Sequence, residues 1–99
     1  MKKILMFFVV ACIIAACSNK PNKQTIAAGK RLYKQHCTIC HGIDGKLGLN
    51  DSKDLTASKL TDEEKTIIIK NGKGKMTPFG SILTPKNIEA VVAYTNTLK

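Results

Sequence analysis

The stretch Cys37-Thr38-Ile39-Cys40-His41 decides how the rest of the chain is read. Two cysteines three positions apart share one face of a helical turn, so their thiols can add to the two vinyl groups of one porphyrin while the next residue reaches its iron. Cys37 and Cys40 are therefore candidate covalent attachment points for haem, and His41 is a candidate axial ligand. The same spacing also serves zinc sites, thiol redox motifs and small disulfide loops, so its surroundings must discriminate. Zinc asks for four ligands spread around a tetrahedron. Here Cys37, Cys40, His36 and His41 are crowded into six positions, with no second pair beyond the leader. A thioredoxin-like dithiol needs a βαβ pattern, whereas the flanks carry helix signals. A disulfide would close a loop of two intervening residues and gain little chain entropy.

A haem iron so held still lacks a sixth ligand. Beyond the leader the sequence contains one methionine, Met76, within Asn71-Gly72-Lys73-Gly74-Lys75-Met76-Thr77-Pro78-Phe79-Gly80. A lone Met is ordinarily core filler in a periodic segment. This one sits among Gly, Lys and Pro, in a loop that lets a thioether approach a metal face. Met76 is the candidate opposite His41. His36 is the rival, but adjacent positions on a helix point apart.

Working outward, the 99 residues leave one small domain once a leader is discounted. Aromatics are 5% of the chain and Trp is absent, so the core is thin and a cofactor staple is in keeping with the size. Lys2 and Lys3 precede an apolar run from Ile4 to Ala16 that is too short to span a bilayer and reads as an export signal over 1–16. The ending Ile14-Ala15-Ala16-Cys17 resembles the lipobox of bacterial lipoproteins. That resemblance implies cleavage before Cys17, lipid attachment to its sulfur, and a chain anchored to a bacterial membrane facing the periplasm or cell exterior. Residues 17–24, polar and Pro-containing, read as a lipidated flexible linker.

Removal of Lys2 and Lys3 leaves fourteen Lys and Arg against seven Asp and Glu. This excess favours acidic partners or anionic membrane surfaces. Nucleic acid is not a partner, because no binding motif appears, aromatics are not interleaved with the basic residues, and export separates the chain from the genome.

Three helices are predicted over 25–99. Thr25 caps a first helix whose stripe Ile26, Gly29, Leu32, Tyr33 ends at the motif. Thr61 and Glu64 form a capping-box pattern, and the second helix stops at Asn71-Gly72. Thr84-Pro85 starts a third, with Ile88, Val91, Val92, Thr95 and Leu98 down one face to the chain end. The segment from Ile43 to Ser58 reads as a wrapping loop, and no strand pairs are evident.

From Thr25 to Lys99 these residues resemble the small class I c-type cytochromes. The resemblance implies an all-α cytochrome c fold, three main helices around one covalently bound haem c, with Gly29 and Tyr33 packing against Val91 and Tyr94 of the last helix. It implies axial ligation by His41 and Met76. Two departures stand out: Thr77 separates Met76 from Pro78, and the loop after His41 lacks the early Pro whose neighbourhood often supplies a carbonyl to the ligand histidine. Some carbonyl between Ile43 and Leu55 takes that role, because a metal-bound His nearly always donates its other ring N–H. An iron with both axial positions filled carries electrons rather than catalysing a reaction, so the expected function is a membrane-tethered monohaem carrier, not an enzyme. Its redox partner proteins would have acidic docking surfaces, facing Lys46, Lys70, Lys73 and Lys75. A haem-based gas sensor with a labile Met76, and a thiol-disulfide oxidoreductase using Cys37 and Cys40, remain the alternatives.

Overall fold

The computed structural model describes residues 20–99, so the signal segment and Cys17 lie outside the described residues. The described chain is helical, with four helices and two 3-10 turns and no strand among the described residues. Helix α1 spans Lys23–His36, α2 Thr38–His41, α3 Asp62–Asn71 and α4 Pro85–Thr95.

The first helix begins earlier than the capping reading placed it. Asn22, not Thr25, is the N-cap, and the Thr25 N–H donates to Asn22 Oδ1 at 2.8 Å. Both side chains can cap, and the turn between them is polar, so no apolar period marks the true start. The helix changes direction at Cys37 (φ −115°, ψ −25°) and resumes as the single turn of α2. Thr38 Oγ1 donates back to the Lys34 carbonyl at 2.9 Å, a contact that bends helices.

Helix α3 carries the expected capping box, with Thr61 and Glu64 satisfying each other's backbone N–H groups. It ends at Gly72, whose φ of 72° needs no Cβ in the way. Helix α4 starts at Pro85 after the Thr84 cap but stops at Thr95, short of the chain end. There Asn96 is held by α3: Lys65 Nζ donates to its Oδ1, and its Nδ2 donates to Asp62 Oδ1 at 2.9 Å. Past Thr95 the chain tightens instead of continuing: the Thr97 N–H and Oγ1 both donate to the Tyr94 carbonyl, at 2.9 and 2.6 Å, and the Leu98 N–H donates to the Thr95 carbonyl at 3.1 Å. The loop after the motif contains two 3-10 turns, Leu49–Asp51 and Leu55–Ala57.

The core sits where α1 and α3 meet α4. Ile69, Phe79, Leu83, Ile88, Val91 and Val92 form one buried cluster. Each such side chain contributes about 1.5–3 kcal/mol when removed from water. Where α1 crosses α4, Gly29 lies against Ala90 and Tyr94. A Cβ on Gly29 would stand 2.6 Å from the Ala90 carbonyl carbon and 2.9 Å from Tyr94 Cβ. Tyr33 follows one turn later, 1% exposed, with its ring tilted at 53° to Tyr94 at 5.2 Å. Its hydroxyl donates to the Gly42 carbonyl at 2.6 Å, linking the helix crossing to the end of the motif. Burial, aided by nearby Cys37, Tyr94 and Asp44, pushes the Tyr33 hydroxyl up to about 12, so it remains a donor across the physiological range. Val91 lies in the core cluster, and Ala90 is the residue that Gly29 approaches most closely.

Gly29→Ala is expected to destabilise the domain by about 2–4 kcal/mol, although Ala is the better helix former by about 1 kcal/mol, because two backbones must part. Urea unfolding of the haem-loaded protein measures this, and an unchanged midpoint would contradict the close crossing.

Candidate cofactor site

The kink at Cys37 and the single turn after it place both thiols and His41 at the end of α1. Cys37 and Cys40 form no disulfide with each other and are both half-buried. Cys37 leans on the core cluster, and burial pushes its thiol up to about 11. A dithiol catalyst needs the opposite, a depressed pKa that supplies thiolate near neutrality. Asn50 Nδ2 approaches Cys40 Sγ at 3.8 Å. Among the described residues no group of three or more His, Cys, Asp or Glu is placed to hold a metal ion. The zinc alternative therefore finds no tetrahedral set there.

His41 is held by a partner that sequence reasoning required but could not name. Its Nδ1 lies 3.1 Å from the Lys53 carbonyl oxygen. A carbonyl only accepts, so Nδ1 carries the proton and Nε2 keeps a lone pair for a metal. The Lys53 carbonyl is fixed from both sides. Before it, the Ser52 N–H and Oγ both donate to the Leu49 carbonyl, at 3.1 and 2.5 Å. After it, Asp54 Oδ1 accepts from the Thr56 hydroxyl at 2.6 Å and from the Thr56 N–H at 2.9 Å. The Thr56 hydroxyl and N–H, in that order, hold the Asp54 carboxyl below the usual carboxylate range.

Met76 also packs, half-buried, against the same cluster as Cys37. Its loop is pinned at both ends. The Met76 N–H donates to the Lys73 carbonyl at 3.0 Å, and the Phe79 N–H returns to the Ile69 carbonyl at 2.8 Å. The intervening Thr77 therefore does not free the loop from α3. At Gly72 the backbone passes so close that a Cβ would meet the Met76 carbonyl oxygen at 2.5 Å and Pro78 N at 3.0 Å. His36, the rival ligand, is occupied edge-on against Phe79, with ring centroids 5.8 Å apart.

The loop just after the motif leaves large apolar side chains to solvent, Ile43, Leu47 and Leu49, the last 48% exposed. A flat, largely apolar macrocycle suits such surroundings, because it needs cover on both faces and little hydrogen bonding. Two thiols, an imidazole with a fixed tautomer, a thioether on the Cys37 cluster and uncovered apolar side chains together fit one haem. Of the lysines expected near its edge, Lys75 pairs with Asp51 at 3.1 Å, linking the Met loop to the loop after the motif. The pair is exposed at both ends and contributes at most about 1 kcal/mol.

Fold and side-chain set together describe a helical electron-carrier domain built for one covalently held haem. A family model described as cytochrome c oxidase, cbb3-type, subunit III matches residues 24–94. The chain is 31% identical to cytochrome c6 of Gloeothece citriformis over 102 residues, covering 95% of this chain and 92% of that protein. It is 31% identical to cytochrome c-551 of Bacillus subtilis over 101 residues, 91% of this chain and 88% of that one. Against the oxidase subunit FixP of Azorhizobium caulinodans identity is 32%, but the match spans 26% of that longer protein. Among solved structures the KustC0563 c-type cytochrome superposes with a TM-score of 0.64 at 33% identity, covering 72% of this chain and 96% of that chain. The chain belongs to this family as a small monohaem class I c-type cytochrome with one covalently attached haem c.

Gly72→Ala is expected to cost about 1–3 kcal/mol, since the new Cβ adds left-handed strain to a steric overlap. The Met76 methyl resonance of the haem-loaded protein should shift with it. Unchanged stability and an unmoved resonance would show that Gly72 does not hold the loop.

Proposed function

We propose that this cytochrome is a lipid-tethered carrier working outside the cytoplasmic membrane, with Cys37 and Cys40 as thioether anchors, His41 and Met76 as axial ligands and Cys17 as the lipidated residue. The observation that carries the reading is the 3.1 Å contact between His41 Nδ1 and the Lys53 carbonyl, which reserves Nε2 for iron. Haem, when attached, supplies a one-electron iron couple. His41 presents a fixed lone pair from one side, and its bond to Lys53 raises its basicity as a ligand. Met76 would hold the haem iron with a soft sulfur, and a His–Met ligand pair would raise its reduction potential. With His41 and Met76 both binding the iron, no position would be left for substrate, which is the physical reason to read a carrier rather than a catalyst.

The pinned Met loop supports the carrier over the gas-sensor alternative, because a labile ligand needs a loop able to leave. The raised Cys37 pKa stands against the dithiol alternative. The redox partners are proposed to present acidic docking surfaces to Lys46, Lys70 and Lys73, all exposed. Such charge speeds brief encounters more than it tightens them. No helix among the described residues is long and apolar enough to cross a membrane, and the proposed attachment rests on the Cys17 sequence context alone. A tether there would keep the carrier near membrane partners and raise its effective concentration.

Met76→Ala is expected to open the ferrous protein to carbon monoxide and lower its potential. A spectrum indifferent to the gas, with the potential unchanged, would remove Met76 from the ligand set. Cys17→Ser, exported behind an ordinary signal peptide that is still cleaved off, is expected to move the protein from the membrane fraction to the soluble fraction. Full membrane retention of that leaderless chain would refute lipid attachment at Cys17.

A further inference from the structure

The acidic residues of this chain are unevenly placed. All seven lie from Asp44 onward, while Lys20, Lys23, Lys30, Arg31 and Lys34 fall between Cys17 and the motif with no carboxylate among them. Four of these cations are on α1, and all four are exposed. At 3.6 residues per turn, Lys23, Lys30, Arg31 and Lys34 lie within an arc of about 100°. Gly29 and Tyr33, packed against α4, are buried on the opposite side. None of the four takes part in an ion pair among the described residues, where Lys75–Asp51 is the one such pair. Lys86 and Glu89, across a cleft of about 310 Å³ beside Asn22 and Thr25, are opposite charges that leave the balance at that end unchanged.

We propose that the outward face of α1 is a membrane-contact surface that lies against anionic phospholipid headgroups. The placement rests on the lipid attachment at Cys17 proposed above. From Cys17 to the Asn22 cap the linker reaches at most about 20 Å, roughly the length of α1 itself. The basic stripe is thereby held close to the bilayer surface, where each Lys or Arg near anionic lipid is worth about a fivefold gain in partitioning. An acidic protein partner fits this face less well. Only Ala27 among its exposed apolar residues lies between the cations, and Lys46, Lys70 and Lys73, the lysines proposed to meet redox partners, all lie outside α1. Anionic headgroups need only the charge.

The test uses the haem-loaded mature chain, residues 17–99 with Cys17→Ser, so that neither the apolar leader nor a lipid masks the charge term. Its binding is measured by co-sedimentation with vesicles of phosphatidylcholine, with and without a third of phosphatidylglycerol. Binding is expected only to the anionic vesicles, and to weaken as salt rises. Adding Lys23→Gln, Lys30→Gln and Lys34→Gln should lower it about a hundredfold. A control with Lys59→Gln, Lys65→Gln and Lys99→Gln, the same charge lost elsewhere, should stay within about threefold. Gln keeps good helix propensity, and the haem spectrum confirms that each variant is folded. Equal loss in both triple variants would mean net charge rather than a surface, and unchanged binding in the first would dismiss the stripe; either overturns the proposal. So would a stripe variant that keeps its vesicle binding and loses electron exchange with an acidic redox protein. The mass of the native mature chain reports the lipid separately: an unmodified Cys17 with stripe-dependent vesicle binding sinks the tether and upholds the surface.

Discussion

The approach of α1 to α4 at Gly29 governs what the rest of the domain can do. With no side chain there, the Ala90 carbonyl and Tyr94 come within a distance that any Cβ would deny. That contact sets the depth of Tyr33, whose hydroxyl reaches the Gly42 carbonyl at the far end of the motif. From Gly42 the chain turns through a φ of 77° and enters the loop that returns the Lys53 carbonyl to His41. A backbone clearance in one helix is thus linked, through one phenol and one loop, to the tautomer of an imidazole. The core contributes cohesion, but it is small, and a covalently held haem adds the staple that a chain of this length needs.

The loop after the motif does its work through backbone geometry. Asn50 and Asp51 both have positive φ, 54° and 62°, which non-glycine residues adopt seldom and Asn and Asp most readily. The turn they form lets Ser52 fold back on Leu49 and presents the next carbonyl, that of Lys53, toward the histidine ring. Here a small local cost in conformation is offset by a hydrogen bond that fixes which ring nitrogen is free.

Much of this was legible in the residues. The Thr61–Glu64 box and the Thr84-Pro85 start are side-chain signals, and each marks a feature found in the fold. What could not be read is carried by backbone or by competition between similar residues. The Lys53 carbonyl has no side-chain signature. Asn22 and Thr25 are both competent caps, and only the folded turn decides between them. Helix α4 ends at Thr95 in tight turns closed on the Tyr94 and Thr95 carbonyls, and Asn96 just beyond it meets Asp62 and Lys65, residues more than thirty positions away. The small Ala90, in the middle of an apolar stripe, was the available hint that Gly29 would cross there, ahead of the larger Val91.

Helix α1 keeps its duties on separate sides. Inward it offers a glycine and a tyrosine to α4, and outward it offers cations to solvent. The inner pair is buried and the outer four are exposed, so the outer positions are open to recoding while the inner ones are not. A protein engineer wanting the same redox module with a different surface charge could rewrite that exterior without disturbing the helix crossing that supports the haem motif.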